Sequence, residues 1–536
     1  MLAACLGILM AFSLADHCAS IDTHSMVAPS AAVSMPGGMG GTGGGYDALE
    51  TQGRRKGGPT RVVREDNLLQ HGRRTKLTST TQDLVRNFSI AGWMIRRHLD
   101  YVSLFDFHSR CATDKALRKR FDIETLKQLD DDIEDLFRRD AIANRCDVGG
   151  RCHREKFFRL AEMRRTVDGD MAMLKVNVGT GQLQGIESDL IRNPTDQDLR
   201  SKNYEHGKET EWVDGVRIGP GGRSAEYAIH SRGRGGSGYA MQSIVPRGNV
   251  IHYGHFTRFA SDQVRGVSPI VSALNNFRDV YGSFDLALAK MKVSQLFAMA
   301  IFSDVVDPSG EIGVDEEDDD GGGRKYNVDF GSGPVHLELD AGDRAEFLES
   351  KTPSTEMQAF SHLVIAVGLK ALDIPYSFYD ESHTNFFGSR AAWLHYERSC
   401  IDKRDDQITA RNDYTMWKLR LAIQQGRLTL PAGMTLADIV TEWVPRGMPW
   451  WDPAKEIKGD KEAVSAGFDN PERICKRTGM GDVYDNIRAT CRVMAEARKI
   501  SKEELGDENA FIPDYGVKPD IVLARETDSK GNDDDE

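Results

Sequence analysis

The chain has 536 residues, 40% hydrophobic and 28% charged, enough for roughly two to four compact domains that need neither disulfides nor metals. Mean hydropathy is −0.46 and no run of about 18 apolar residues occurs, which argues against a membrane span. A net charge of −13 excludes a generally basic nucleic-acid binder while leaving room for local basic patches.

The first 15 residues are apolar and small, as in a secretion signal, but no Lys or Arg precedes them. They read as a peripheral tail or an early start codon, and Gly37 to Gly45 reads as a linker. Residues 51 to 80 hold eight Lys/Arg against Glu65 and Asp66, whereas residues 501 to 536 hold twelve Asp/Glu against four Lys/Arg. Both stretches read as solvated ends, with arms for oppositely charged partners as the sharper alternative. None of the eight cysteines has C-x-x-C spacing, so reduced thiols are expected. Cys146, Cys152 and His153 cluster, but three ligands without a fourth make a poor zinc site.

Apolar residues at helical spacing predict helices over 81–107 and 122–143. Strands are predicted at 171–178, 213–218, 225–230 and 249–253, separated by Gly-rich turns. The first half is therefore a mixed α/β region. Ser268-Pro269 offers an N-cap and a Pro at the first helical position. Ile270, Leu274, Phe277, Tyr281, Phe284, Leu288 and Met291 then form one apolar seam on a helix expected to reach about Phe302, roughly 50 Å long.

A polar insertion, 303–352, carries six consecutive acids from Asp315 to Asp320 and predicted strands at 326–330 and 335–339. A second amphipathic helix is expected over 354–372, ending at Ile374-Pro375, and a third from Ser389 to about Gly426. Helices are also expected through 460–500.

Several motif matches lack their structural context. Gly233-x-Gly235-x-x-Gly238 fits the dinucleotide fingerprint, but no helix follows to hold a pyrophosphate. Gly38-x-Gly40-x-x-Gly43 is low complexity, and Asp329-Phe330-Gly331 has no kinase catalytic loop before it. Gly207-Lys208 runs into Glu209, so it is not a P-loop. Asp168-Gly169-Asp170 and His383 could serve acid/base chemistry, though a structural role suits them better. The sequence thus argues against an enzyme, and no cofactor or metal is implied.

Three strings in order carry a resemblance. The first is Val250-Ile251-His252-Tyr253 through Arg265-Gly266-Val267-Ser268-Pro269. The second is Ile374-Pro375-Tyr376, then Asp380, then Asn385-Phe386-Phe387-Gly388-Ser389-Arg390. The third is Trp451-Asp452-Pro453-Ala454-Lys455-Glu456. Fainter matches lie at Leu84-Val85-Arg86-Asn87 and at Arg164 to Asp170. Over about residues 46–500 the chain resembles phage portal proteins of the lambda type. It departs from them at Phe387-Gly388, where two serines are usual, and in the acidic run 315–320.

That resemblance implies an α+β portal-protein fold: a mixed α/β wing, long stem helices, a small β-rich clip and a helical crown. On this chain it implies a tail (1–45), wing (46–267), stem helix (268–302), clip (303–352), second stem helix (353–375) and tunnel loop (376–388). A long wing helix with its flank (389–455), crown helices (456–500) and an acidic tail (501–536) would follow. The resemblance further implies a cyclic homo-oligomer, typically of twelve subunits, at one capsid vertex of the virion, assembled in the host cytoplasm. Its partners would be double-stranded DNA in the channel, the large terminase subunit, major capsid and scaffold proteins, and head–tail connector proteins, with no membrane.

Tyr379, Asp380, Glu381, His383 and Asn385 would then face the DNA channel, and the seam from Ile270 to Met291 would pack against neighbouring subunits. Arg265, Gly266, Ser268, Pro269, Asn385, Ser389, Arg390, Asp452 and Pro453 are the family-motif positions. Two other function classes stay open on the residues alone: a metal-dependent nuclease or hydrolase using the acidic clusters, and a scaffold ring unrelated to DNA.

Overall fold

The computed structural model describes residues 63–303, 343–347, 354–380 and 386–507 together with 510, apart from 71, 202–203, 205–210, 234–237, 297–298 and 448–451. The side chains of 293–303, 343–347 and 386–387 are also outside the description. The expected N-terminal tail, the acidic run 315–320, the strands at 326–330 and 335–339, loop residues Glu381, His383 and Asn385, and most of the acidic tail lie outside the described residues.

Helices α1 (Arg73–Asn87) and α2 (Ser89–Val102) meet at a single extended residue, Phe88. Strand β1 (Phe105–Ser109) follows, so the helical stretch expected over 81–107 is two helices and a strand. Helix α3 (Ile123–Arg139) is N-capped by Asp122, and α4 (Arg154–Asp168) by the His153 ring, which accepts from Lys156 N. Strands β2 (Asp170–Val176), β3 (Gln182–Glu187) and β8 (Val250–Gly254) form one antiparallel sheet in the order β3-β2-β8.

Between β3 and β8 the chain builds a four-stranded antiparallel sheet from β4 (Glu211–Val213), β5 (Val216–Ile218), β6 (Ser224–Arg232) and β7 (Tyr239–Pro246). The single strand expected at 213–218 is a tight hairpin instead. Asp214 (φ 44°) and Gly215 (φ 87°) form its two-residue turn, the backbone that an Asp-Gly pair favours.

The helix expected over 268–302 is a 3-10 turn at Pro269–Ala273 and then α5 (Leu274–Leu296). Its 23 helical residues span about 35 Å, not 50 Å. The correction lies at the end: Met299–Ser303 is strand β9, paired antiparallel with β10 (Asp343–Phe347). A short apolar run continues a helical pattern as well as a strand pattern, so spacing alone carried the helix too far.

Helix α6 (Thr355–Leu369) is capped by Ser354, whose hydroxyl accepts from Met357 N. Helix α7 (Phe386–Gln424) has 39 residues, about 58 Å. Strand β11 (Thr441–Pro445) pairs with β1, and three helices end the described chain: α8 (Pro453–Ser465), α9 (Pro471–Thr478) and α10 (Val483–Leu505). Among the described residues no helix is long and apolar enough to cross a membrane.

Three apolar cores organise these elements. One joins α3, α4, the C-terminal half of α7 and the β1–β11 ribbon around Phe137, Phe158, Tyr414 and Trp443. A second joins α1, α2, α5, α6 and the N-terminal half of α7 around Met94, Phe277, Leu369 and Tyr396. The third lies between the two sheets, around Ala172, Tyr227 and Val250. Helix α7 thus runs from one core into another.

Candidate functional site

The structure brings together the first of the three strings and the fainter match at Arg164 to Asp170. Gly169 (φ 96°) ends α4, and Gly266 lies against it so closely that a Cβ on Gly266 would sit 2.1 Å from the Gly169 carbonyl oxygen. The next residue on one side, Asp170, meets the previous residue on the other, Arg265. Both side chains are wholly buried. The Asp170 carboxylate accepts from Arg265 Nε (2.6 Å) and Nη2 (2.9 Å), Gly266 N (2.9 Å), Ser188 Oγ (2.6 Å) and His252 Nε2 (3.2 Å).

The rest of the guanidinium donates to the carbonyls of Ser188, Ile191 and Asp214. Burial alone would raise the Asp170 carboxyl, but the Arg265 charge and its hydrogen bonds hold it well below the usual carboxylate range. Ser268 was expected as an N-cap. Its hydroxyl instead donates 2.6 Å to Thr166 O, at the end of α4. Pro269 does take the first position of the turn. The R-G-x-S-P string is therefore a joint that fixes where the chain leading into α5 leaves α4 and β2.

A second buried network sits behind it. Glu162, with no exposed surface, accepts from His98 Nε2 (2.9 Å), Arg165 Nη1 (3.2 Å), Thr166 Oγ1 (3.3 Å) and the Tyr253 hydroxyl. Arg165 also pairs with Asp406 on α7 and donates to Gly254 O. Burial would raise the Glu162 carboxyl, but Arg165 and His98 bring it down to about 2. Burial lowers the His98 ring from its usual range, against the pull of the Glu162 carboxylate beside it. One network thus ties α2, α4, β8 and α7. Sequence reasoning missed it, because His98, Glu162, Tyr253 and Asp406 share no spacing.

The stem seam divides in two. Ile270, Leu274 and Phe277 are buried in the chain's own second core, so their assignment to a subunit interface is corrected. The Phe277 ring lies 3.0 Å from where a Cβ on Gly368 of α6 would stand, which is why a glycine serves there. Tyr281 is also occupied within the chain: its hydroxyl meets Ser89 Oγ at 2.8 Å and accepts from Ile90 N at 3.1 Å, serving the open N-terminus of α2. Phe284 is half-buried beside Tyr281, Met291 is half-buried, and Leu288 is exposed. Leu286, which the seam left out, is 74% exposed.

Of the loop residues, Tyr379 is exposed and packs edge-on against Trp93, while Asp380 is half-buried with its amide bonded to Tyr376 O. The start of the loop is thus fixed to α2. Past it, Ser389 is half-buried and Arg390 pairs with Glu456 at 3.0 Å. Asp452 caps α8 by accepting from Lys455 N, and Pro453 occupies its first turn.

Among the described residues no group of three His, Cys, Asp or Glu could hold a metal. In the expected Cys146–Cys152–His153 cluster, His153 is spent on capping α4, and burial pushes the Cys146 thiol up to about 11. Asp170 is locked to Arg265. Burial pushes Asp168 up to about 6, and it accepts from Gln82.

The phage portal protein model of the lambda family matches residues 52–404. The chain belongs to the lambda family of phage portal proteins. It is a structural portal component and not an enzyme, and the joint above lies within the matched span. No curated protein sequence matches it. Among solved structures it is similar to a chain of the virion of a native gene transfer agent (GTA) particle, at 14% identity and TM-score 0.41. That match covers 80% of this chain and 97% of the other. Two GTA neck structures are also similar at 14% identity. The neck of the empty particle, computed with C6 symmetry, has a TM-score of 0.40, covering 76% of this portal chain and 93% of the other. The neck of the native particle, computed with C12 symmetry, has a TM-score of 0.38, covering 75% and 93%. All three scores lie below one half, so the portal assignment rests on the family model.

Proposed function

We propose that this portal chain closes into a cyclic ring, of twelve subunits, at one vertex of the virion capsid, and that the ring conducts double-stranded DNA during packaging and ejection. The observation that carries the ring is the apolar surface left open on the stem. Leu286 on α5 is 74% exposed, and Phe360, Leu363 and Val367 on α6 are 59%, 61% and 52% exposed. So much uncovered apolar area on two adjacent helices calls for a partner. Family membership supplies the partner as further copies of the chain, joined through heterologous contacts that close.

A net charge of −13 per chain suits a channel that holds a duplex without gripping it, since repelled phosphates slide where Lys and Arg would bind them. In this reading α5 and α6 are the stem, the insertion 303–352 is the clip that docks the terminase motor and later the head–tail connector, and 376–388 is the loop facing DNA. The test is charge reversal of Asp380 and Glu381 to Lys. Rings should still form, but nuclease-protected DNA should fall sharply because the collar would now attract the backbone it must release. Undiminished packaging would place this loop away from the duplex.

A further inference from the structure

We infer that α8, α9 and α10 are docked on the rest of the chain through one buried ion pair, Arg110–Asp482, and come away together when that pair is broken. Among the described residues of 453–507 only Thr478, Asp482 and Ser501 are buried, and all three are polar. None of the three apolar cores has a member beyond Trp443. Tyr484, Ile487, Val493 and Ile500 of α10 are exposed. Helices of 13, 8 and 23 residues that bury no apolar side chain are marginal in water by themselves. What holds them in place is therefore their polar contacts.

Those contacts converge on one place. Arg110, just past β1, donates from Nη2 to Asp482 at 2.7 Å and from Nε to Glu442 of β11 at 3.3 Å. Asp482 in turn accepts from Tyr484 N and Asp485 N and so starts α10. The Asp482 side chain is 5% exposed and that of Arg110 14%, so removing either partner strands the other charge. Two further pairs reach these helices, Lys476 with Glu442 and Arg390 with Glu456, but they are wetter and contribute little. Beside the anchor, Gly447 and Gly479 meet backbone to backbone, and a Cβ on Gly447 would stand 1.9 Å from Arg477 O. The three helices are also tied to one another. Arg477 of α9 pairs with Asp460 of α8 at 2.6 Å, and Asn486 of α10 donates to Met480 O, just past α9, at 2.8 Å. A cavity of about 180 Å³ between α3 and the start of α10 is lined by Lys127, Asp131, Glu134, Tyr484, Asp485 and Arg488, so this contact is polar and loosely filled. Anything that takes Arg110 from Asp482 thus releases one unit of three helices and leaves the apolar cores intact.

Hydrogen exchange read by mass spectrometry, on the full-length chain in the oligomeric state in which it purifies, tests this with two unrelated lesions. Arg110→Ala removes the charge of the anchor. Gly447→Ala removes no charge and pushes α9 off the β1–β11 ribbon. Each should speed exchange across α8, α9 and α10 together, on the order of a hundredfold for Arg110→Ala, while α3, α4 and α7 keep the parent's rates. Helix α8 is the decisive reporter, since among the described residues no hydrogen bond or ion pair joins it to either substituted residue. Unchanged exchange in either variant, faster exchange confined to the first turn of α10, or faster exchange spread through α3, α4 and α7 would each overturn the inference. Should a variant fail to fold, the parent in urea below its unfolding midpoint carries the same test. The amides of α8, α9 and α10 should then open together ahead of the cores, and opening of the three helices only with the cores would overturn it.

Discussion

Arg265 and Asp170 meet 2.6 Å apart with no exposed surface on either side chain, and they join two strings of sequence 95 residues apart. Removing one member strands the other charge in the interior, which costs about 3–5 kcal/mol. Arg265→Ala should therefore lower unfolding stability by that amount, measured by chemical denaturation. Arg265→Lys should recover only part of it, because an ammonium cannot match the two-point contact with the carboxylate and the three carbonyls. A loss under about 0.5 kcal/mol in Arg265→Ala, the range of ordinary surface changes, would deny the joint its structural role.

Two glycines should respond in opposite directions. Gly266→Ala places a methyl 2.1 Å from a backbone oxygen that cannot retreat, so insoluble or unfolded protein is expected. Gly282, inside α5, has nothing within 4 Å of its Cβ position, and Gly282→Ala should stabilise by about 1 kcal/mol through helix propensity. Thermal melts of the two variants side by side check both statements.

The divided seam separates folding from assembly. Phe277→Asp puts a charge into the chain's own core and should unfold the subunit, with loss of far-UV circular dichroism. Leu363→Asp lies on open surface and should leave the circular dichroism unchanged while shifting native mass toward monomer. Folded Phe277→Asp subunits that simply dissociate would contradict the burial of this residue.

Acid should act through Glu162. Its folded-state carboxyl is depressed from 4.5 to about 2, so it contributes stability at pH above 4.5 that is lost as pH falls toward 2. Glu162→Gln should be less stable than the parent at pH 7, and the gap should close on titration from pH 5 to 2. A gap independent of pH would show that this carboxylate is not the group being protonated.

Much of this order was legible in the sequence because it is local. The apolar repeat over 122–143 announced α3, and Ile374-Pro375 marked where α6 had to stop. The joint was legible only as two motif strings; that Gly169 faces Gly266 depends on a sheet bringing β2 beside β8, which no local pattern encodes. The seam misled for a related reason. Ile270, Leu274 and Phe277 have the same 3-4 spacing whether their partner is α6 of their own chain or a neighbouring subunit. The network of His98, Glu162, Tyr253 and Asp406 carried no joint sequence signal, since its members come from four separate elements and only Tyr253 falls in a motif string.

Particle shape and mass test most directly whether this portal chain closes into a ring. Negative-stain electron microscopy and native mass spectrometry of the purified full-length protein should show an annular particle whose mass is about twelve times the 59.6 kDa chain. A monodisperse species at 59.6 kDa, with no annular particles at any protein concentration, would contradict it.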